Sequence, residues 1–83
     1  MELKNTSDMM NSDNYKVRFT AEYWQTKIRH EKLRRMCDSY EKGTLSFTPK
    51  CSLDLLKKQL SAMDNYLQCL EERAEIEGIE LFD

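Results

Sequence analysis

From Leu53 onward the apolar residues of this chain fall on Leu53, Leu56, Leu60, Met63, Leu67, Leu70 and Ala74, at steps of 3, 4, 3, 4, 3 and 4. Alternating steps of three and four trace a narrow seam along a helix at the 3.5 period, the pattern of helices that cross at ~20° in hairpins and bundles. Ser52 stands where an N-cap is needed, and Asp54 lies in the first turn, where the helix dipole favours a carboxylate. A helix is therefore predicted over about 52–77, closed by Gly78, which is free to adopt positive φ. Beside the seam runs a second stripe of Leu55, Ala62, Tyr66 and Cys69. A two-helix hairpin covers one face of each helix, so this stripe needs another cover. Either a second chain supplies it, or the first helix, the connector and the tail do.

Upstream, neither Pro nor Gly interrupts residues 13–42, and Gly43 follows them, which predicts a first helix over about 13–42. At 100° per residue, Val17, Ala21, Trp24 and Ile28 share one stripe. Leu33, Met36, Cys37 and Tyr40 share a second, joined by Phe19 and Tyr23. Between the two stripes lie Arg18, Gln25, Arg29 and Lys32, a polar row with three positive charges flanked by hydrophobes. The segment 43–52 contains Thr48–Pro49, and the residue before proline is pushed out of the helical region, so this is a connector. Its Leu45 and Phe47 are available to plug the end of a core. Residues 1–12 hold adjacent methionines, Met9 and Met10, but no apolar period, and read as a disordered leader. The fold expected is all-α: two long antiparallel helices forming a hairpin over 13–83, with a short apolar-acidic tail after Gly78.

The chain has 83 residues, enough for one small domain. Domains this short bury only ~60% of their unfolded surface, and reinforcement by oligomerisation through the helix seam is the simplest remedy. A net charge of −2, with 40% hydrophobic and 34% charged residues, excludes a disordered acidic tail and a strongly basic nucleic-acid coat. Cys37, Cys51 and Cys69 are odd in number and form no C-x-x-C pair, and His30 is the sole histidine. They read as buried, reduced thiols, with no metal and no cofactor expected. The N-terminus lacks the basic and apolar regions of a signal peptide, and no apolar run reaches a membrane span of ~18 residues. A cytoplasmic protein with no membrane partner is expected.

Charge is divided unevenly between the two helices. Residues 15–42 carry eight Lys/Arg against four Asp/Glu, whereas residues 52–77 carry three against six. Mutual neutralisation of a basic helix lying on an acidic one is one explanation, each exposed pair contributing ~0.2–1 kcal/mol. The other is an anion site. Arg18, Arg29 and Lys32 are suited to phosphate, guanidinium by bidentate contact and ammonium as a point charge. Tyr23, Trp24 and Tyr15 are candidates to stack on a base. Sequence-specific nucleic-acid binding is disfavoured by the absence of any helix-turn-helix, zinc-finger or ribonucleoprotein motif and by a pI near 5.4. No phosphate loop, nucleophile elbow or metal-ligand pair is present, and nothing places Ser46, Cys51 and His30 together, so no catalytic residue is assigned and a non-enzyme is expected.

The stretch Arg18, Glu22–Tyr23, Arg29, Lys32–Leu33, the loop LSFTPKCS, and then Leu55–Leu56, Gln59–Leu60, Ala62–Met63, Tyr66–Leu67 and Leu70 to Leu81 resemble a family of small phage and prophage proteins named after a crAss-phage protein. The resemblance spans about residues 15–81 and implies a helical hairpin encoded among phage counter-defence genes. In size and layout the chain is also similar to phage sponges, helical-hairpin oligomers that sequester the cyclic nucleotide signals of CBASS and Thoeris immunity. It lacks their Gly-Tyr-Arg start and Asn-x-Ile-Lys motif, so no ligand residue is carried over from them.

The expectation is a phage-encoded, non-catalytic counter-defence protein that sequesters a phosphate-bearing signal such as a cyclic nucleotide. The alternatives are an anti-CRISPR-type stoichiometric inhibitor of a host nuclease effector, or a phage structural or regulatory adaptor. The corresponding partners are a second copy of the chain and either a small phosphorylated nucleotide or a host immune protein.

Overall fold

The structure, a computed structural model, describes residues 1–81. Three helices appear among them: α1 (Leu3–Met10), α2 (Tyr15–Lys42) and α3 (Leu53–Glu77), with no strand. The principal extents are 43 × 24 × 19 Å. At 1.5 Å per residue the 28 residues of α2 account for the long dimension.

The ends of the long helices follow from local chemistry. Asn14 caps α2 by accepting from the backbone N–H of Lys16, and Gly43 closes it at φ 70°. Ser52 caps α3 through its hydroxyl, which accepts from Leu55 N at 3.1 Å. Gly78, also at φ 70°, turns the chain back, and Ile79 N then donates to Ala74 O at 2.8 Å. That reversal drives Ile79 into the core and lays Leu81 against it.

Helices α2 and α3 run antiparallel. Tyr15 reaches Glu77 at one end, Tyr23 reaches Glu71, His30 Nε2 lies 2.5 Å from Asp64 Oδ1, and Lys57 pairs with Glu41 near the connector. The α3 seam is turned inward: Leu56, Leu67, Leu70 and Ala74 are buried, and Leu53, Leu60 and Met63 are half-buried. Against them α2 places Phe19, Tyr23, His30 and Cys37. Phe19, Tyr23, Leu67, Leu70, Ala74 and Ile79 form one contiguous cluster.

The leader corrects the sequence reading. Residues 3–10 form a helix where disorder is expected, giving three helices rather than two. Glu2 and Asn5 cap its start reciprocally, side chain to backbone in both directions. Among the helices α1 packs on α2 alone, and it buries Thr6 completely while Leu3 and Met9 are half-buried. Thr6 keeps its hydroxyl satisfied by donating to Leu3 O at 2.7 Å. Ala21, in the middle of the Val17–Ile28 stripe, is likewise fully buried. The chain's own N-terminus thus lies against the Val17–Ile28 stripe of α2, with Met9 beside Val17 and Leu3 beside Ile28.

Because α1 is held by few buried side chains, replacing Thr6 should release it. Thr6→Arg places a charge at a site with no exposure. Amide exchange protection over residues 3–10 should be lost while α2 and α3 stay protected. Retained protection in α1 would show that this contact does not hold it.

Two further expectations are corrected. Phe47 does not plug the core but stays 56% exposed, lining a pocket of about 180 Å³ with Tyr40, Leu45 and Pro49. Of the three cysteines, all free, only Cys37 is buried, whereas Cys51 and Cys69 are exposed. No helix of the described residues is long and apolar enough to cross a membrane.

Candidate functional site

The two apolar stripes of α2 are claimed by different partners, α1 on one side and α3 on the other. The polar row lies on the helix surface between them. Arg18, Arg29 and Lys32 are all exposed. Within the row they do not converge on one point: Arg18 and Arg29 share a face but lie ~16 Å apart along the axis. Arg18 is also engaged locally, its Nη1 donating to Ser12 O at 2.8 Å in the α1–α2 turn. Arg29 and Lys32, three residues apart, are neighbours on the helix surface.

The cations of α2 divide by charge balance: Lys27 and Arg34 are ion-paired, whereas Arg29 and Lys32, like Lys16, Arg18, Arg35 and Lys42, are not among the described residues. Lys27 lies 3.7 Å from Glu31, and Arg34 lies 2.7 Å from Glu31 and 3.5 Å from Asp38. The Arg34 contact holds the Glu31 carboxyl below its usual range. Lys27 and Arg34 stand on the side of α2 opposite the row. Arg29 and Lys32 make no ion pair among the described residues, so their charge is uncompensated there.

The N-terminus adds a wall that sequence reasoning missed. Met1, Glu2, Leu3 and Lys4 face Ile28 and Lys32 across an open pocket of about 440 Å³. Lys4 is itself paired with Glu2 at 3.4 Å. The signal that would have found α1 is the Glu2–Asn5 capping box followed by Leu3, Thr6 and Met9 at steps of three, with threonine serving as a core residue.

The three candidate stacking aromatics are placed differently. Tyr23 is only 6% exposed, a member of the hairpin core, so a base reaches its ring only if the hairpin opens. Trp24 is half-buried, packs on the same core and meets Tyr23 edge-on at 5.5 Å. Its indole N–H is buried without an acceptor among the described residues. Tyr15 is 45% exposed and stands three residues before Arg18. Its hydroxyl donates to Glu77 Oε1 at 2.8 Å and accepts from Arg73 Nη2 at 2.9 Å; the Glu77 carboxylate raises its pKa, and Arg73 opposes that rise without cancelling it. The Arg73 guanidinium also covers the Phe19 ring at 4.9 Å.

Burial, reinforced by the hydrogen bond to Glu71 at 2.8 Å, pushes the Tyr23 phenol up to about 12. Its folded pKa lies above the unfolded value, so the stabilisation is complete below about pH 10 and is lost as pH rises through about 12. The loss should be on the order of 2 kcal/mol, read as a fall in the thermal midpoint across that window. Tyr23→Phe should flatten this alkaline limb, and an unchanged limb would assign it to other groups.

A family model described as Sequestin matches residues 13–76, from just before the N-cap of α2 to the last turn of α3. No curated protein and no solved structure matches the chain. The matched span contains the basic row and the whole hairpin seam but leaves out α1 and the wall it contributes beside Lys32. With the match covering well over half of its length, the chain belongs to the Sequestin family.

Proposed function

We propose that this protein is a non-catalytic sequestering protein that captures a phosphate-bearing nucleotide signal, such as a cyclic nucleotide, on the open face of α2. Arg29 and Lys32 hold phosphate, with Lys4 at the edge of the same pocket and Arg18 bounding the row at its other end. Tyr15, exposed and three residues before Arg18, serves any base that extends that way. The single observation that carries the reading is the exposed Arg29–Lys32 pair, left without a carboxylate while Lys27 and Arg34 on the opposite side are paired. Uncompensated, adjacent cations favour a multivalent anion, and guanidinium supplies the bidentate geometry phosphate takes.

The name of the family is consistent with sequestration, and the layout of the hairpin supports capture rather than turnover. A counter-defence role in a phage-infected cell, opposing an immune system that signals with nucleotides, follows from the same reading. The acidic C-terminal part of α3 disfavours long polyanions, whereas a small phosphorylated ligand docks on α2 without meeting it.

Native mass spectrometry of the purified chain, before and after exposure to a panel of cyclic nucleotides, tests the proposal. The expected result is an integral number of nucleotide masses retained by the protein without chemical change to the nucleotide. Unchanged protein mass across the panel moves the function to a protein target, such as a nuclease effector.

A further inference from the structure

Among the described residues nothing covers the second stripe of α3. Leu55 is 53% exposed, Tyr66 44% and Ile76 85%, and Ala62 and Cys69 are exposed as well. Leu55, Ala62, Cys69 and Ile76 repeat at steps of seven, with Gln59, Tyr66 and Arg73 interleaved at steps of four and three. This is a second 3.5-period seam on a helix whose first seam is already used by the hairpin. A helix carrying such a seam pairs with another helix of the same period by knobs-into-holes packing. The small residues Ala62 and Cys69 sit in the middle, where close approach needs them, and the large Leu55 and Ile76 sit at the ends.

Charge along the edge of the seam selects the occupant. Lys58, Asn65 and Glu72 also repeat at steps of seven, each three residues after Leu55, Ala62 and Cys69 and so flanking them on the helix surface. Lys58 and Glu72 make no ion pair within the chain among the described residues. A two-fold axis perpendicular to α3, near its middle, brings this edge against the same edge of a second copy. Lys58 of each copy then faces Glu72 of the other, and the two Asn65 side chains meet at the axis. Such an isologous contact is self-complementary, as a closed dimer requires.

We propose that α3 is a self-association surface, occupied by a second copy of this chain lying antiparallel along Leu55, Ala62, Tyr66, Cys69 and Ile76. The stripe borders α2 on the side where Tyr66 donates to Glu22.

Sedimentation equilibrium of the full chain under reducing conditions, over micromolar to submillimolar concentrations and with no nucleotide present, tests this. A dimer mass is expected. The double substitution Ala62→Glu, Cys69→Glu should give a monomer with unchanged helical circular dichroism. Lys58→Glu should weaken dimerisation about tenfold, and adding Glu72→Lys should restore it. A monomer at every concentration overturns the proposal, as does a dimer indifferent to both sets of changes. Because nucleotide is absent, this outcome is independent of whether the α2 face binds one.

Discussion

Leu70→Ala should cost about 2–5 kcal/mol and leave the protein partly unfolded at moderate temperature. Leu70 is the largest apolar side chain in the fold with essentially no exposure, at 1%, and it sits where the α3 seam meets Phe19 and Tyr23. Truncation removes three buried carbons and leaves a cavity between two long helices that cannot close without shifting the whole hairpin. Small domains hold only ~5–15 kcal/mol in total, so one such loss is a large share of the stability. A thermal midpoint lowered by more than about 10 °C is expected for a chain of this length. Gln68→Ala, on the exposed side of the same helix away from both apolar stripes, should change stability by no more than about 0.5 kcal/mol. Equal effects from the two substitutions would show that the seam does not carry the fold.

Arg29→Ala combined with Lys32→Ala should abolish nucleotide retention, lowering affinity by about a hundredfold or more. Hydrogen bonds to charged groups contribute ~1.5–3 kcal/mol each, and every 1.4 kcal/mol is a factor of ten. Both side chains are exposed and unpaired, so the double substitution should leave the fold unchanged, which circular dichroism and the thermal midpoint would confirm. The matched control is Lys27→Ala with Arg34→Ala. It removes the same charge from the same helix, but from the opposite side, where Glu31 and Asp38 already balance it. Only a small, salt-sensitive change in affinity is expected from that control. If both double variants lose binding equally, the ligand responds to net charge and the α2 face is not a site. The two outcomes are separable at a single nucleotide concentration.

The hairpin was legible because its information is local. The steps of three and four from Leu53 to Ala74 require no knowledge of a partner to be recognised as one face of a helix. Gly43 and Gly78, each at φ 70°, and the Ser52 cap are likewise decided within a few residues of themselves. The basic row was legible for the same reason, since helical spacing alone places Arg18, Arg29 and Lys32 between two apolar stripes. What spacing does not convey is axial distance as a constraint on a ligand, so Arg18 and Arg29 read as one site although ~16 Å of helix separates them.

The α1 helix was hidden because eight residues with one leucine, a buried threonine and two adjacent methionines carry too weak a period to stand out. Its stability comes from a surface that α2 provides, as isolated helices of this length are marginal in water. Tyr23 and Trp24 were ambiguous for a related reason. An aromatic at the border of two faces is equally able to enter the core or to serve a ligand, and the packing of α3 and the returning tail drew both inward. The charge on Arg29 and Lys32 is set by sequence, but its availability is not. That depends on where the carboxylates of α2 fall relative to each cation, and Glu31 was taken by Lys27 and Arg34.

The sequence by itself determined two long helices, their caps, their antiparallel seam and a row of cations on α2, because periodicity and capping act over a few residues. Only the tertiary structure decided which faces are closed. It folded the leader onto the Val17–Ile28 stripe, buried Tyr23 beneath α3, and left Leu55, Tyr66 and Ile76 in water. The physical reason is that a stripe's burial depends on the helices available to cover it, a property no single helix carries in its own pattern.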